Sequence, residues 1–138
     1  MKIVLDTCVL LAGIGIDGVE RRILEHINRN QIQLVLSKEL FVEYIFAPSK
    51  IVSKAIKERG IHNLEKALNK AYHLSRKIAD YVFEHSEFAK VTSNKKFVKD
   101  DPGDDKLFNL AIDTDTQYIV SINSSHIISL NEKVKTCS

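Results

Sequence analysis

The chain has 138 residues, 44% of them hydrophobic and 28% charged, with a formal net charge of +2. That balance belongs to a globular protein and excludes a disordered, fibrous or strongly polyionic chain. A net charge this small names no partner, although a local basic patch can still bind phosphate.

The two cysteines, Cys8 and Cys137, show neither a CxxC nor dense spacing, so no disulfide framework or zinc site is indicated. Cys8 reads as a small buried hydrophobe and Cys137 as a thiol on the tail. No run approaches the ~18 consecutive apolar residues that a membrane span needs. The first residues read as a core strand and make a poor signal peptide. The expectation is a cytoplasmic protein with no membrane association.

Lys2 to Leu5 is a short β-branched apolar run that ends on Asp6. Such a run predicts a strand buried on both faces of a parallel sheet. Asp6 then sits at its carboxyl end, where open α/β sheets place their ligand crevice. Capping the next turn is its plainer role. Residues 10–16, punctuated by Gly13 and Gly15, read as a loop or a loose first helical turn. With Gly18 these glycines make no phosphate-binding fingerprint.

Asp17-Gly18-Val19-Glu20 has the form of a helix start. Val19, Ile23, Leu24 and Ile27 follow as a buried stripe, with Arg21, Arg22 and Arg29 on the wet side. Residues 31–36 predict a second strand. Ser37 then caps a helix over residues 38–47, which Pro48 stops. Leu40, Tyr44 and Ala47 form its apolar line. Glu39 and Glu43 lie one turn apart, where like charges repel by roughly a few tenths of a kcal/mol. One of the two is therefore expected to have a partner elsewhere.

Residues 49–59 predict a third helix, with Lys50, Lys54 and Lys57 on a solvated face. A long helix over residues 63–87 turns Leu64, Ala67, Leu68, Ala71, Leu74, Ile78 and Val82 inward. Residues 88–92 read as a short strand and residues 93–100 as a polar loop. Asp101 caps, and Pro102 opens, a helix to about Thr114 that buries Leu107, Leu110 and Ala111. Residues 117–122 predict a strand ending at Asn123, with a short helix over 124–130 and an edge strand over 134–136. This alternation predicts one three-layer α/β domain with a mostly parallel sheet.

With right-handed crossovers, the strand ends at Asp6 and Asn123 share an edge with the helix starts near Ser37 and Asp101. Asp6, Glu43, Asp101, Asp104, Asp105 and Asn123 then gather around one crevice. Acids at a helix start have a plainer role, since the macrodipole favours them by ~0.3–1 kcal/mol. Several carboxylates within a few ångströms, however, do not all stay ionised unless a cation neutralises them. All-oxygen ligands suit Mg²⁺ or Mn²⁺ and not zinc. Carboxylate-held Mg²⁺ at a phosphate crevice is the equipment of phosphodiester hydrolysis.

The chain resembles the PIN-domain nucleases, and in particular the toxin components of toxin–antitoxin systems related to the VapC toxins. The resemblance rests on Val4-Leu5-Asp6-Thr7 with Val9-Leu10, on Ser37 through Leu40 to Glu43-Tyr44, and on Ala47-Pro48-Ser49-Lys50. It continues through Asp101-Pro102-Gly103-Asp104-Asp105-Lys106 and closes on Tyr118-Ile119-Val120-Ser121, Asn123 and His126.

The resemblance implies a three-layer α/β/α PIN-like domain over residues 1–138 and a metal-dependent endoribonuclease. Asp6, Glu43 and Asp105 would hold Mg²⁺ or Mn²⁺, with Asp101 and Asp104 as auxiliary acids of the same motif, Asp104 the nearer candidate as a further ligand. The family's fourth acidic position falls at Asn123, whose amide oxygen can ligate Mg²⁺ with one negative charge fewer. His126 would belong to a variant site, or is a capping or surface histidine. Cys8 replaces the family's asparagine after Asp-Thr, while Thr7 remains to orient Asp6 or a water. Homodimerisation and a possible antitoxin partner are implied as well.

Lys95, Lys96 and Lys99 precede the acid cluster and Lys106 follows it, so they are candidate RNA contacts. A solvated face is the plainer role for each. Two other readings stay open. One is a PIN-like binding module weakened at Asn123 and Cys8. The other is a small phosphohydrolase, which would need a phosphate loop or a dedicated nucleophile that the sequence does not show.

Overall fold

The structure, a computed structural model, describes residues 1–15, 19–60, 63–96 and 105–121. Among them are the strands β1 (Lys2–Leu5), β2 (Gln33–Leu36), β3 (Ser86–Phe88) and β4 (Tyr118–Val120). The helices are α1 (Thr7–Gly15), α2 (Val19–Asn28), α3 (Lys38–Arg59), α4 (Leu64–His85) and α5 (Asp105–Asp113). The expected cap at Asp17, the helix start at Asp101-Pro102 and every element beyond residue 121 lie outside the described residues.

All strand pairs are parallel, in the order β3-β2-β1-β4. Leu5 pairs with Val120, Ile3 with Leu34, and Leu36 with Phe88. The crossovers from β1 to β2 and from β2 to β3 move the chain one way across the sheet. The return through α5 brings β4 to the other side of β1. The carboxyl ends of β1 and β4 therefore flank the point where strand order reverses, the usual crevice of a three-layer α/β/α fold.

The strands are buried because their residues are apolar on both faces: Ile3, Val4, Leu5, Leu34, Val35 and Leu36 are all at most 3% exposed. Leu10, Ile27, Leu40, Ile78, Leu107 and Phe108 close the core from the helices. Each such side chain contributes about 1.5–3 kcal/mol of burial.

Five expectations are corrected. Residues 10–15 are not a loop, since α1 is helical to Gly15, and residue 16 lies outside the described residues. Gly13 makes this possible: a Cβ there would stand 2.7 Å from Leu24 Cδ1, so only glycine lets α1 and α2 approach so closely. Cys8 is exposed, because the helix turns Thr7, Val9 and Leu10 inward and Cys8 outward.

Pro48 does not stop α3, which runs unbroken from its Ser37 cap to Gly60 at φ 69°. Proline removes one helical N–H and crowds the preceding turn. Here Tyr44, Ala47 and Pro48 are buried, and the Ser75 hydroxyl of α4 donates to the Ile45 carbonyl at 2.8 Å. Tertiary packing thus offsets the local penalty.

The short strand falls at Ser86–Phe88 and not at residues 88–92. The Ala89 N–H makes the last bond to Leu36 at 2.8 Å, after which the main chain of Thr92 and Ser93 turns to Asp113 of α5. Phe41, Phe83 and Phe88 pack ring against ring and tie this edge to α3 and α4. Finally, Leu64 and Leu68 are about half exposed, so the buried side of α4 begins only at Ala71.

Candidate functional site

Asp6 is the joint between β1 and α1. Its N–H donates to the Val120 carbonyl at 2.9 Å, and its own carbonyl accepts from Val9 and Leu10 to open the helix. Both carboxylate oxygens are held: Oδ1 accepts from the Thr7 N–H and Oδ2 from the Ser121 hydroxyl, each at 2.7 Å.

Thr7 is nearly buried, and its hydroxyl donates to Glu43 Oε2 at 2.6 Å. One residue thus connects two carboxylates that lie on different elements. The other Glu43 oxygen, Oε1, accepts from Lys106 Nζ at 2.5 Å. The partner expected for one of Glu39 and Glu43 is therefore Lys106, together with Thr7, and the acid is Glu43.

Beneath this pair, the fully buried Tyr44 hydroxyl donates to the Leu5 carbonyl, the last of β1. Burial pushes the phenol well above its ordinary range, and the negative charges of Asp6 and Glu43 push it the same way. Tyr44 stays a neutral donor that fixes the strand end from which Asp6 projects.

Asp105 opens α5 beside Lys106, and both line a cleft of about 410 Å³. Ser37 and Glu39 wall it on one side, and Ser93, Asn94, Lys95 and Lys96 on another. The expected RNA contacts Lys95, Lys96 and Lys106 thus share one cavity, while Lys106 also serves Glu43. Asp101, Asp104, Lys99, Asn123 and His126 lie outside the described residues.

Among the described residues, no three His, Cys, Asp or Glu side chains stand close enough together to hold a metal ion. Asp6 and Glu43 are joined through Thr7, and the Lys106 ammonium reaches Glu43 from α5. Electrostatics favours this, since neighbouring carboxylates repel and a cation beside them offsets that repulsion. The donors at this edge, two carboxylates and the hydroxyls of Thr7 and Ser121, are all oxygen. That chemistry fits a hard divalent cation and not a thiophilic one.

Three residues of the site went unassigned in the sequence. Tyr44 reads there as part of an apolar line and stands beside Glu43 in the family motif, with no role for its hydroxyl. Ser121 is obscured by extending the strand to residue 122, yet its place beside Asp6 follows from pairing Leu5 with Val120. Asn109 stands 5% exposed on α5 and hydrogen-bonds the main chain of Lys95, a contact that no spacing reveals.

Among the described residues no helix is long and apolar enough to cross a membrane. A PIN domain family model matches residues 2–125. No curated protein and no solved structure gives a significant match. The chain therefore belongs to the PIN domain family, whose members are generally nucleases that typically work with divalent metal ions.

Proposed function

We propose that this chain is an endoribonuclease that hydrolyses RNA phosphodiester bonds with Mg²⁺ or Mn²⁺ held by Asp6, Glu43 and Asp105. Asp104 and Asn123 complete the metal ligands, and Asp101, Thr7 and His126 assist them. Residues 1–138 act as one cytoplasmic domain, a homodimer and the toxin of a VapC-like toxin–antitoxin pair. The observation that supports this reading is the Thr7 bridge between Asp6 and Glu43 at the carboxyl end of β1.

Asp6 is oriented by two donors and Glu43 by two more, so both carboxylates are fixed before any ligand arrives. Such preorganisation is what charge stabilisation in a transition state requires. The chemistry a bound divalent ion supplies is activation of a water and stabilisation of the leaving oxygen. Lys106, Lys95 and Lys96 attract the phosphates and align the strand beside the carboxylates.

A second reading, a binding module with weakened turnover, is favoured by one observation: an ammonium already neutralises Glu43. Cleavage of a mixed single-stranded RNA pool with Mg²⁺ or Mn²⁺, against EDTA and against Asp6→Asn, decides between them. Cleavage lost in both controls supports the nuclease. RNA retained without cleavage, and with no Mn²⁺ uptake in calorimetry, supports the binding module. Cleavage that survives Asp6→Asn moves the site elsewhere.

A further inference from the structure

Asn109 interrupts the inward line of α5 between Phe108 and Leu110, both fully buried. A buried amide among apolar neighbours is unfavourable unless every polar atom is paired. Here each is: Oδ1 accepts from the Lys95 N–H at 3.0 Å, and Nδ2 donates to the carbonyls of Lys95 at 3.0 Å and Asp105 at 2.9 Å. The side chain thus grips both main-chain groups of one residue, as a neighbouring strand would. The third bond ties that grip to the first residue of α5.

One turn further along α5, Asp113 accepts from the Thr92 N–H at 2.6 Å, the Ser93 N–H at 2.9 Å and the Ser93 hydroxyl. Two side chains of α5 therefore clasp the segment from Thr92 to Lys95. That segment is irregular, and Lys95 and the adjoining Lys96 line the same cleft as Lys106. Packing alone would be met by an aliphatic residue at position 109. The amide is needed only to fix the loop.

We propose that Asn109, assisted by Asp113, is a positioning residue that holds Lys95 and Lys96 as a preformed phosphate subsite for single-stranded RNA. This rests on the endoribonuclease reading and adds to it the part of α5 that shapes the substrate channel. A lysine on a fixed main chain loses less freedom on meeting a phosphate than one on a loose loop.

Retention of a fluorescent single-stranded RNA in EDTA, where no cleavage occurs, is measured across salt concentrations. The chains are wild type, Asn109→Leu, the Lys95→Gln/Lys96→Gln double variant and the three changes combined. Asn109→Leu and the lysine double variant are each expected to weaken retention. Each should lower the slope of log affinity against log salt by about 1.4, roughly 0.7 for each phosphate no longer neutralised. The combined variant should match either parent, because all three disable the same subsite.

A merely structural role would lower the melting temperature and leave the slope unchanged, which overturns the proposal. Additive losses in the combined variant overturn it too. If Asn109→Leu fails to melt cooperatively, Asp113→Asn replaces it, with a lowered slope expected and a wild-type slope overturning the proposal. Wild-type protein that retains no RNA overturns the RNA reading itself, a failure visible in the wild-type arm alone.

Discussion

Lys106 Nζ stands 2.5 Å from Glu43 Oε1, joining the first turn of α5 to the second turn of α3 across the end of β1. Both side chains are about 30% exposed, at 31% and 29%, so the pair is neither free in water nor sealed in the core. An ammonium on this oxygen would compete with any divalent cation that Glu43 held. Lys106→Gln should therefore tighten Mn²⁺ binding while weakening RNA retention in EDTA. A pair this exposed is worth ~1 kcal/mol or less, which bounds the gain at about fivefold. Calorimetric Mn²⁺ titration checks it, and unchanged affinity would remove Glu43 from the metal site.

The parts of this fold that were legible in the sequence are those decided by local pattern. The β-branched run ending at Asp6, the Ser37 cap and the apolar line through Leu40 and Tyr44 all stand where expected. What was not legible depends on partners distant in the chain. Pro48 escapes a rule written for an isolated helix because Tyr44, Ala47 and Pro48 itself are buried against the rest of the fold. Gly13 has a poor helix propensity, by about 1 kcal/mol relative to alanine, but the close approach of Leu24 selects it. At the site, the acids Asp6 and Glu43 were legible as residue types in order. Their connection through Thr7, 36 positions from Glu43, is tertiary, and so is the pairing of Glu43 with Lys106.

Tyr44→Phe tests the buried support beneath the site. The change keeps the ring and deletes the donor to the Leu5 carbonyl, and a lost buried partner costs ~1–3 kcal/mol. Thermal unfolding at neutral pH should show that loss. The pH dependence carries a second signature. Because the folded phenol is raised above 10.0, its contribution is complete below pH 10.0 and is lost as pH rises above it. Tyr81, raised by burial to about 12, adds to the same alkaline limb and remains in the variant. Tyr44→Phe should therefore flatten that limb without abolishing it. An unaltered alkaline profile would mean that Tyr44 ionises freely in the folded chain.

Gly13→Ala should destabilise the protein although alanine is the better helix former. A new Cβ would meet Leu24 Cδ1 at 2.7 Å, Leu24 Cγ at 2.9 Å and the Glu20 carbonyl at 3.0 Å. The Leu24 tip can rotate, but the Glu20 carbonyl belongs to the α2 main chain and cannot. Overpacking of this kind costs ~1–3 kcal/mol, which exceeds the propensity gain of about 1 kcal/mol. Denaturant unfolding of the two chains measures the difference, and a stabilised variant would show that α1 and α2 do not touch here.

Asp113 gives the clasp on residues 92–95 an acid limit. Donation from the Ser93 hydroxyl and then the Ser93 amide holds its carboxyl below the ordinary 3.8 against the opposing effect of burial, with lesser help from the Thr92 amide and hydroxyl. A carboxyl depressed in the fold stabilises it fully above pH 3.8, and that contribution is lost as pH falls through the folded value below it. The group is exposed, so solvent screens the effect and the global stability hardly moves. The signature is local. The amide proton shifts of Thr92 and Ser93 should move upfield together as Asp113 protonates, with one midpoint below pH 3.8. Asp113→Asn should abolish that shared transition, whereas a midpoint at or above 3.8 in the wild type would mean that the carboxylate does not hold these amides.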